Sequence, residues 1–387
     1  MSGKPVILFI NHWAAHLGGA EHSLLDIMRT AAARSSSHLL TSEPGVLVER
    51  AAEMGVACHV VPCRMSTSAV RRGASPADLA RAWPQLLSFA RFVFSVARLV
   101  RSIRPDLVHA NVPKSHMTLC LLVLLGYRGK SCFHLREIFP DRSYAAGLYR
   151  LLYPRRSASV CAISHAVKNH LPARMRRDAT VIHNGVLIPP EPAGRAPDGQ
   201  FRFLYLGRIV PWKGCHVLVD AFARALDLTQ GSPCSLTLVG DTLYWRSAYR
   251  DELRELIRTR GLEPRCRLLP HTDDPAATMR EHDAFCIASD QEPFGRVVAE
   301  AQACGLPVVG YDTGGVGEIV TQGATGLLVS FGNIDAFAHA MCHLVKNPND
   351  ARAMGKAGRE KAMKLFDRAV QVPKIVEFLL KQAAGEE

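Results

Sequence analysis

Twelve short apolar runs alternate with segments of helical periodicity along this chain, and that alternation restricts it to parallel α/β units. The first six runs are Val6–Ile10, Ala57–Val61, Leu107–Ala110, Ser131–Leu135, Ser159–Ile163 and Thr180–His183. The second six are Phe201–Leu206, Ser235–Val239, Arg267–Leu269, Ala284–Ala288, Pro307–Tyr311 and Leu327–Ser330. Between the two series, Ile188 to Gln200 carries four prolines and two glycines in thirteen residues, the composition of a linker. A chain of 387 residues also exceeds what one hydrophobic core usually organises. The expectation is an α/β protein of two Rossmann-like domains with parallel sheets, split at a linker over residues 189–200. In open sheets of this kind ligands bind beyond the carboxyl ends of the strands, so an interdomain cleft is the expected active site.

Composition narrows the setting. Eleven cysteines are an odd number, no Cys-x-x-Cys occurs, and most have apolar neighbours, which points to reduced thiols in a cytoplasmic protein. The N-terminus lacks the features of a signal peptide, and the longest apolar run, Met117 to Leu125, is far shorter than the ~20 residues of a membrane span. A formal net charge of +12, concentrated between Arg71 and Arg177, suits nucleic acid, anionic lipid or phosphorylated substrates. With no zinc-finger spacing and no aromatic RNP-like motif, nucleic acid is set aside. On a helical projection Phe89, Phe92, Val93, Val96, Leu99, Val100 and Ile103 share one face, while Arg91, Arg98 and Arg101 share the other. An α/β domain needs such a helix to cover its sheet. The other reading is peripheral contact with an anionic membrane, at the inner face of the cytoplasmic membrane.

Two segments carry chemistry. In the first, the apolar run Ala284–Ala288 is followed by Ser-Asp-Gln-Glu-Pro-Phe-Gly and a helix-forming stretch from Arg296 to Ala303 that Gly305 and Pro307 stop. This places the amides of Phe294, Gly295 and Arg296 at a helix N-terminus, where a diphosphate or sugar hydroxyls can bind. Glu292 precedes that helix and Glu300 lies in its second turn, and a carboxylate can accept from two adjacent hydroxyls. In the second, Phe201–Leu206 ends in Gly207-Arg208, then Ile-Val-Pro-Trp-Lys213-Gly214. Glycine at a strand end admits a ligand close to the backbone, and Arg208 and Lys213 can both reach one pyrophosphate across the turn. Their charges would stabilise phosphate oxygens as a glycosidic bond breaks.

The Glu-Pro-Phe-Gly turn, its helix and the Ala-x-x-Cys-Gly-Leu-Pro-Val-Val that follows closely resemble the family 4 retaining glycosyltransferases. The resemblance implies the GT-B fold: two facing Rossmann-like domains, with residues 1–188 on the acceptor side and residues 201–365 holding the nucleotide sugar. A C-terminal helix, residues 366–387, would cross back to the first domain. It further implies that Glu292 contacts the donor sugar and Glu300 the ribose, and that Arg208 and Lys213 hold the diphosphate in place of a metal. No cofactor or metal is then required. Gly18-Gly19-Ala20-Glu21 resembles the family's glycine loop, and Ser164 with Lys168 and Leu171 resembles its Ser-x-x-x-Lys-x-x-Leu helix start, where the serine would cap.

The sequence departs from the family at two places. After Asn184-Gly185-Val186, Leu187 stands where relatives usually carry aspartate. Many relatives have His-x-His after the fourth strand of the first domain, but here the triplet is His109-Ala110-Asn111. Asn111 can bond a sugar hydroxyl but cannot act as acid or base. The implied mechanism is therefore front-face, with the leaving phosphate taking the acceptor proton. Asn111, His134 and Arg136 are the candidates for acceptor or sugar contact. Other clusters fall away: His339 and His343 lack the third ligand of a zinc site, and Gly-x-Gly-x-x-Gly, Walker A and Gly-x-Ser-x-Gly are missing. The expected activity is transfer of a hexose-type sugar from a UDP- or GDP-linked donor to a glycan, glycolipid or surface-polysaccharide acceptor. The alternatives are a nucleotide-sugar 2-epimerase of the same fold and a non-catalytic sugar-nucleotide-binding subunit.

Overall fold

The computed structural model describes residues 3–63, 76–139, 144–154, 157–190, 198–242 and 248–386. The linker expected at residues 189–200 lies largely outside these, as does the start of the basic region at Arg71. The chain divides into two compact units. One comprises Met1–Ile163, Val167–Ile182 and Val372–Glu387, and the other Ser164–Ala166 and His183–Gln371.

In the first unit the described strands are β1 (Val6–Ile10), β2 (Ser36–Thr41), β3 (Ala57–Val60), β4 (Leu107–Ala110), β5 (Lys130–Leu135), β6 (Ala158–Ala162) and β7 (Ala179–Val181). They form one parallel sheet in the order β3-β2-β1-β4-β5-β6-β7. A parallel sheet is covered on both faces, so its strands are apolar throughout; all four residues of β4 are buried. β2 is the strand that the sequence analysis did not anticipate. Its Ser-Ser-His-Leu-Leu-Thr has only two strongly apolar residues, and its place is fixed by pairing, with Phe9 opposite Leu39 and Leu39 opposite Cys58. On one face of the sheet the helix Gly19–Ala31 buries Leu24, Ile27, Met28 and Ala31. The same core takes Val372, Ile375, Val376 and Leu379 of the helix Arg368–Ala384, whose i, i+3, i+4, i+7 spacing makes one apolar stripe. Each such side chain contributes roughly 1.5–3 kcal/mol by leaving water.

The helix Pro76–Ile103 buries Phe89, Phe92, Val93, Val96 and Val100, leaving Arg91, Arg98 and Arg101 exposed. It is thus a covering helix with a solvated basic face. No helix among the described residues is long and apolar enough to cross a membrane.

The described strands of the second unit are β8 (Phe201–Leu206), β9 (Cys234–Val239), β10 (Cys266–Leu269), β11 (Ala284–Ile287), β12 (Val308–Tyr311) and β13 (Gly326–Val329). Their order, β10-β9-β8-β11-β12-β13, is again all parallel. Its core joins Phe203, Tyr205, Leu218, Phe222, Leu236 and Phe337, so strands and flanking helices close on one apolar cluster. In both sheets the strand order reverses direction beside the first strand of the unit. Successive connections leave β1 and β4, or β8 and β11, on opposite faces and open a crevice at the carboxyl ends.

Candidate functional site

Two of the residues singled out in the second half of the chain, Lys213 and Glu292, meet at its reversal point. Lys213 closes the short 3-10 turn Pro211–Lys213 after β8, and Glu292 lies in the loop after β11. The two form an ion pair, Lys213 Nζ donating to Glu292 Oε1. Ser289 Oγ donates to the same oxygen at 2.8 Å. The Glu292 side chain is only 7% exposed and that of Lys213 17%, so this charge pair sits at the floor of the loop cluster, where it is little screened by water. The sequence reading gave Lys213 to the phosphates and Glu292 to the sugar; the structure adds that they hold each other. A lysine ammonium has three donors, so this bond leaves two for a ligand.

Backbone geometry makes the cluster possible. Gly214 has φ 71°, and a Cβ there would fall 2.2 Å from the Ala288 carbonyl oxygen, so only glycine lets the turn after β8 press on the end of β11. Asp290 N–H donates to the Trp212 carbonyl across the same seam at 3.0 Å. Gly314, after β12, has φ 55°, and its Cβ would fall 2.0 Å from the Glu292 carbonyl oxygen. Gly315 N–H then reaches that oxygen at 2.7 Å, and Thr313 Oγ1 donates to the Ser289 carbonyl at 3.0 Å. Ser289 and Thr313-Gly314-Gly315 are thus supports that the sequence analysis did not name. The signal for them was a Gly-Gly pair two residues beyond an apolar strand.

Arg208 and Glu300 are placed differently. Arg208 is exposed, and its guanidinium has no ion-pair partner among the described residues. Its backbone is fixed by Tyr205, whose hydroxyl donates to the Arg208 carbonyl at 2.7 Å. Gly207 continues β8 toward it, its N–H bonded to Val239. The helix Arg296–Ala303 starts at Gly295, as the stop and start residues implied. Its Glu300, assigned to ribose by resemblance, accepts from Arg296 Nε at 2.8 Å through Oε1. Phe294 is buried against His183 and Phe366, so only its backbone is available to a ligand.

Ser164, expected to cap its helix, is fully buried. Its hydroxyl donates to the Pro293 carbonyl, while Glu318 accepts from the amides of His165 at 2.9 Å and Ala166 at 2.7 Å. His183 Nε2 also lies 2.9 Å from Glu318. Burial raises the pKa of Glu318, but these three bonds outweigh it and lower the carboxyl below its ordinary value of 4.5.

In the first unit the reversal point is filled by side chains bonded to one another. Asn111, just past β4, is fully buried, with Nδ2 donating to Asn11 Oδ1 at 2.9 Å and Oδ1 accepting from Arg136 Nε at 2.8 Å. Arg136 is 9% exposed. His134 is 0% exposed, and its Nδ1 lies 3.1 Å from His109 Nε2. Asn111, His134 and Arg136, expected to contact an acceptor or sugar, are engaged with one another and with Asn11 in this structure. Strand alternation turns His134 into the interior beside His109, and the polar atoms of Asn111 are engaged by the protein itself. Burial first, and then the nearby Arg136 charge, hold His109 down to about 3 and His134 well below the usual histidine value. His116 is also pushed down, to about 4, mainly by burial, and bonds Tyr149 at 2.7 Å. Gly18 precedes the helix Gly19–Ala31, and its N–H donates to Glu21 Oε2 at 3.0 Å.

His12 is bonded to Thr118 at 3.1 Å, and His339 to the Asp335 carbonyl at 2.8 Å. Among the described residues no group of three or more His, Cys, Asp or Glu is disposed to hold a metal ion.

The architecture and the motifs have counterparts in known proteins. Residues 191–361 match the family described as Glycosyl transferases group 1, and residues 17–187 match Glycosyltransferase Family 4. A D-inositol 3-phosphate glycosyltransferase of Rhodococcus erythropolis is 36% identical over 152 residues, which is 39% of this chain and 34% of that protein's length. A glycogen synthase of Mycobacterium tuberculosis is 27% identical over 301 residues, covering 74% of this chain and 71% of the synthase. Among solved structures, Anabaena Alr3699/HepE in complex with UDP and glucose superposes with a TM-score of 0.75 at 25% identity, over 96% of this chain and 98% of the other. Sucrose-phosphate synthase from Thermosynechococcus elongatus shares the fold, with a TM-score of 0.78 at 19% identity over 99% of this chain and all of that one.

Proposed function

The chain belongs to the family 4-like GT-B glycosyltransferases, and on that premise we propose a retaining enzyme that moves a hexose-type sugar from a UDP- or GDP-linked donor to a glycan, glycolipid or surface-polysaccharide acceptor. One observation carries the donor side: the buried Lys213–Glu292–Ser289 cluster at the reversal point of the second sheet, with the exposed Arg208 on the same strand's extension. Arg208 and Lys213 would bear on the diphosphate and supply, without a metal, the positive charge that stabilises the leaving phosphate. Glu292 would accept from sugar hydroxyls, and Glu300 Oε2 from the ribose. The amides of Phe294, Gly295 and Arg296 would add donors at a helix N-terminus. In the first unit, Gly18 and Gly19 would approach the donor phosphates.

The reaction we infer is front-face. The bond from the anomeric carbon to the phosphate oxygen breaks while the acceptor oxygen approaches on the same side. The departing phosphate oxygen takes the acceptor's proton, so no protein base is needed and configuration is retained. The Anabaena protein's complex with UDP and glucose supports a nucleotide-sugar donor, and the relatives named as a glycosyltransferase and a glycogen synthase support sugar transfer. Its test is the anomeric configuration of products formed from UDP- and GDP-sugars with an acceptor panel, read by NMR. Retained configuration is expected; inverted product would reject the mechanism, and epimerised sugar with donor alone would favour the epimerase.

The exposed Arg91, Arg98 and Arg101, with Phe94 58% exposed among them, suit peripheral contact with anionic lipid at the inner face of the cytoplasmic membrane. Flotation with anionic vesicles should recover more protein than with neutral ones, and equal recovery removes the membrane from the reading.

A further inference from the structure

We propose that Arg136 is a positioning residue that fixes the Gly18–Gly19 turn from inside the first unit. Its side chain closes a hydrogen-bonded ring through residues contributed by several separate stretches of chain. Arg136 Nε donates to Asn111 Oδ1 at 2.8 Å, and Asn111 Nδ2 donates to Asn11 Oδ1 at 2.9 Å and to the Ala20 carbonyl at 3.4 Å. Asn11 Nδ2 reaches Glu21 Oε1 at 3.4 Å, and the other oxygen of Glu21 holds the Gly18 amide at 3.0 Å. The ring closes where Arg136 Nη2 donates to Ser23 Oγ at 3.1 Å, two residues beyond Glu21 on the same helix. All five side chains are buried, none more than 9% exposed.

Three features make the arrangement directional. The guanidinium is a planar fork, so its Nε and Nη2 point along two fixed lines, one to the strand ends and one to the helix. Bonds in a low-dielectric interior are strong when made and costly when one partner is lost, so the ring favours a single geometry of the turn. Beneath Arg136 lies His134, its Nδ1 3.4 Å from Nη2 and backed by His109, a neutral floor that adds no competing charge. Arg136 therefore acts on the glycine turn through Asn111, Asn11 and Ser23, and touches neither donor nor acceptor. The functional consequence rests on the proposed transfer reaction, in which the Gly18–Gly19 turn approaches the donor phosphates. A misplacement of ~1 Å at such a contact lowers turnover by about 100-fold.

The test uses the full chain with Arg136→Lys, which keeps the charge but not the fork, and Ser23→Ala, which removes one hydroxyl and little volume. Hydrogen exchange at residues 18–20 is read alongside kcat and the acceptor KM. Both variants should speed exchange at residues 18–20, and Arg136→Lys should lower kcat about 10–100-fold with the acceptor KM within about threefold of wild type. The double variant should lose less than the product of the two single losses, since both break one ring. Unchanged exchange at residues 18–20 in both variants overturns the proposal. So does an acceptor KM that rises while kcat holds, because Arg136 would then contact the acceptor itself. If the wild-type protein transfers no sugar, the proposed function fails, and the exchange result alone still decides the ring.

Discussion

The two sheets share a strand order and a reversal point, and they fill that point in opposite ways. In the first unit Asn11, Asn111, Arg136 and Ser23 bond one another, over buried His109 and His134. In the second, Lys213, Glu292 and Ser289 meet at the floor of the loops while Arg208 stands exposed with no ionic partner among the described residues. Burial decides the difference. A polar group in the interior must be satisfied by the protein, whereas a cation left at a crevice rim has its charge available to an anion. Among the described residues the second unit's Arg208 has no ionic partner, and the proposed function gives its charge to the donor diphosphate.

The contrast predicts different responses to acid. His12, His109, His116 and His134 are all held below their ordinary value of 6.5, by burial first, aided by the charges of Lys114 at His12 and Arg136 at the others. In the folded unit they stay neutral, while the unfolded chain takes up protons below pH 6.5. The stability tied to their neutrality is complete above that pH and declines as pH falls toward about 3, the value that His12 and His109 reach in the folded state. Each histidine removes up to about 1.4 kcal/mol per pH unit in that window. Pulse proteolysis or hydrogen exchange read on β4 and β5 should show the first unit loosening steeply between pH 6.5 and 4. A flat profile there would mean that the histidines are solvated and the ring is not closed.

A smaller effect is expected in the second unit. Glu318 is lowered below 4.5, so its bonds to His183, His165 and Ala166 stabilise the fold above that value and are lost only as pH falls through the lower one. Glu318→Gln keeps an acceptor oxygen but removes the charge, and should cost about 1–2 kcal/mol at neutral pH in a denaturant titration. The loss should shrink as pH falls through that lowered value, where the wild-type carboxyl itself takes up a proton. A cost that stays constant across that range would show that shape, not charge, makes the contribution.

The sequence made the sheets legible because parallel strands are buried on both faces and therefore stand out as apolar runs. β2 escaped because Ser36, Ser37, His38 and Thr41 are tolerated by pairing on both sides, a tertiary cause invisible in a local window. In the candidate site, Arg208, Lys213 and Glu292 could be named because charge after a strand, next to glycine, has few purely structural explanations. Their pairing could not be read, since nothing in a sequence sets Lys213 beside Glu292 across 79 positions. The mutual bonding of Asn111, His134 and Arg136 was hidden for a related reason. A polar residue at a strand's end can face the crevice or the interior, and only the positions of Asn11, Ser23 and His109 decide which.

The most direct test of the account is calorimetric titration of UDP and GDP into wild-type, Arg208→Ala and Lys213→Ala proteins, with Arg98→Ala, on the exposed face of the covering helix, as the comparison from the first unit. Wild type should bind one of the two nucleotides. Arg208→Ala and Lys213→Ala should each weaken that binding about tenfold or more, as loss of a charged hydrogen bond implies. Arg98→Ala should leave the nucleotide affinity within about threefold of wild type, the spread that a remote, uncoupled site allows. Wild-type affinity in both second-unit variants would contradict the assignment of the diphosphate to Arg208 and Lys213, and with it the functional reading of the second unit.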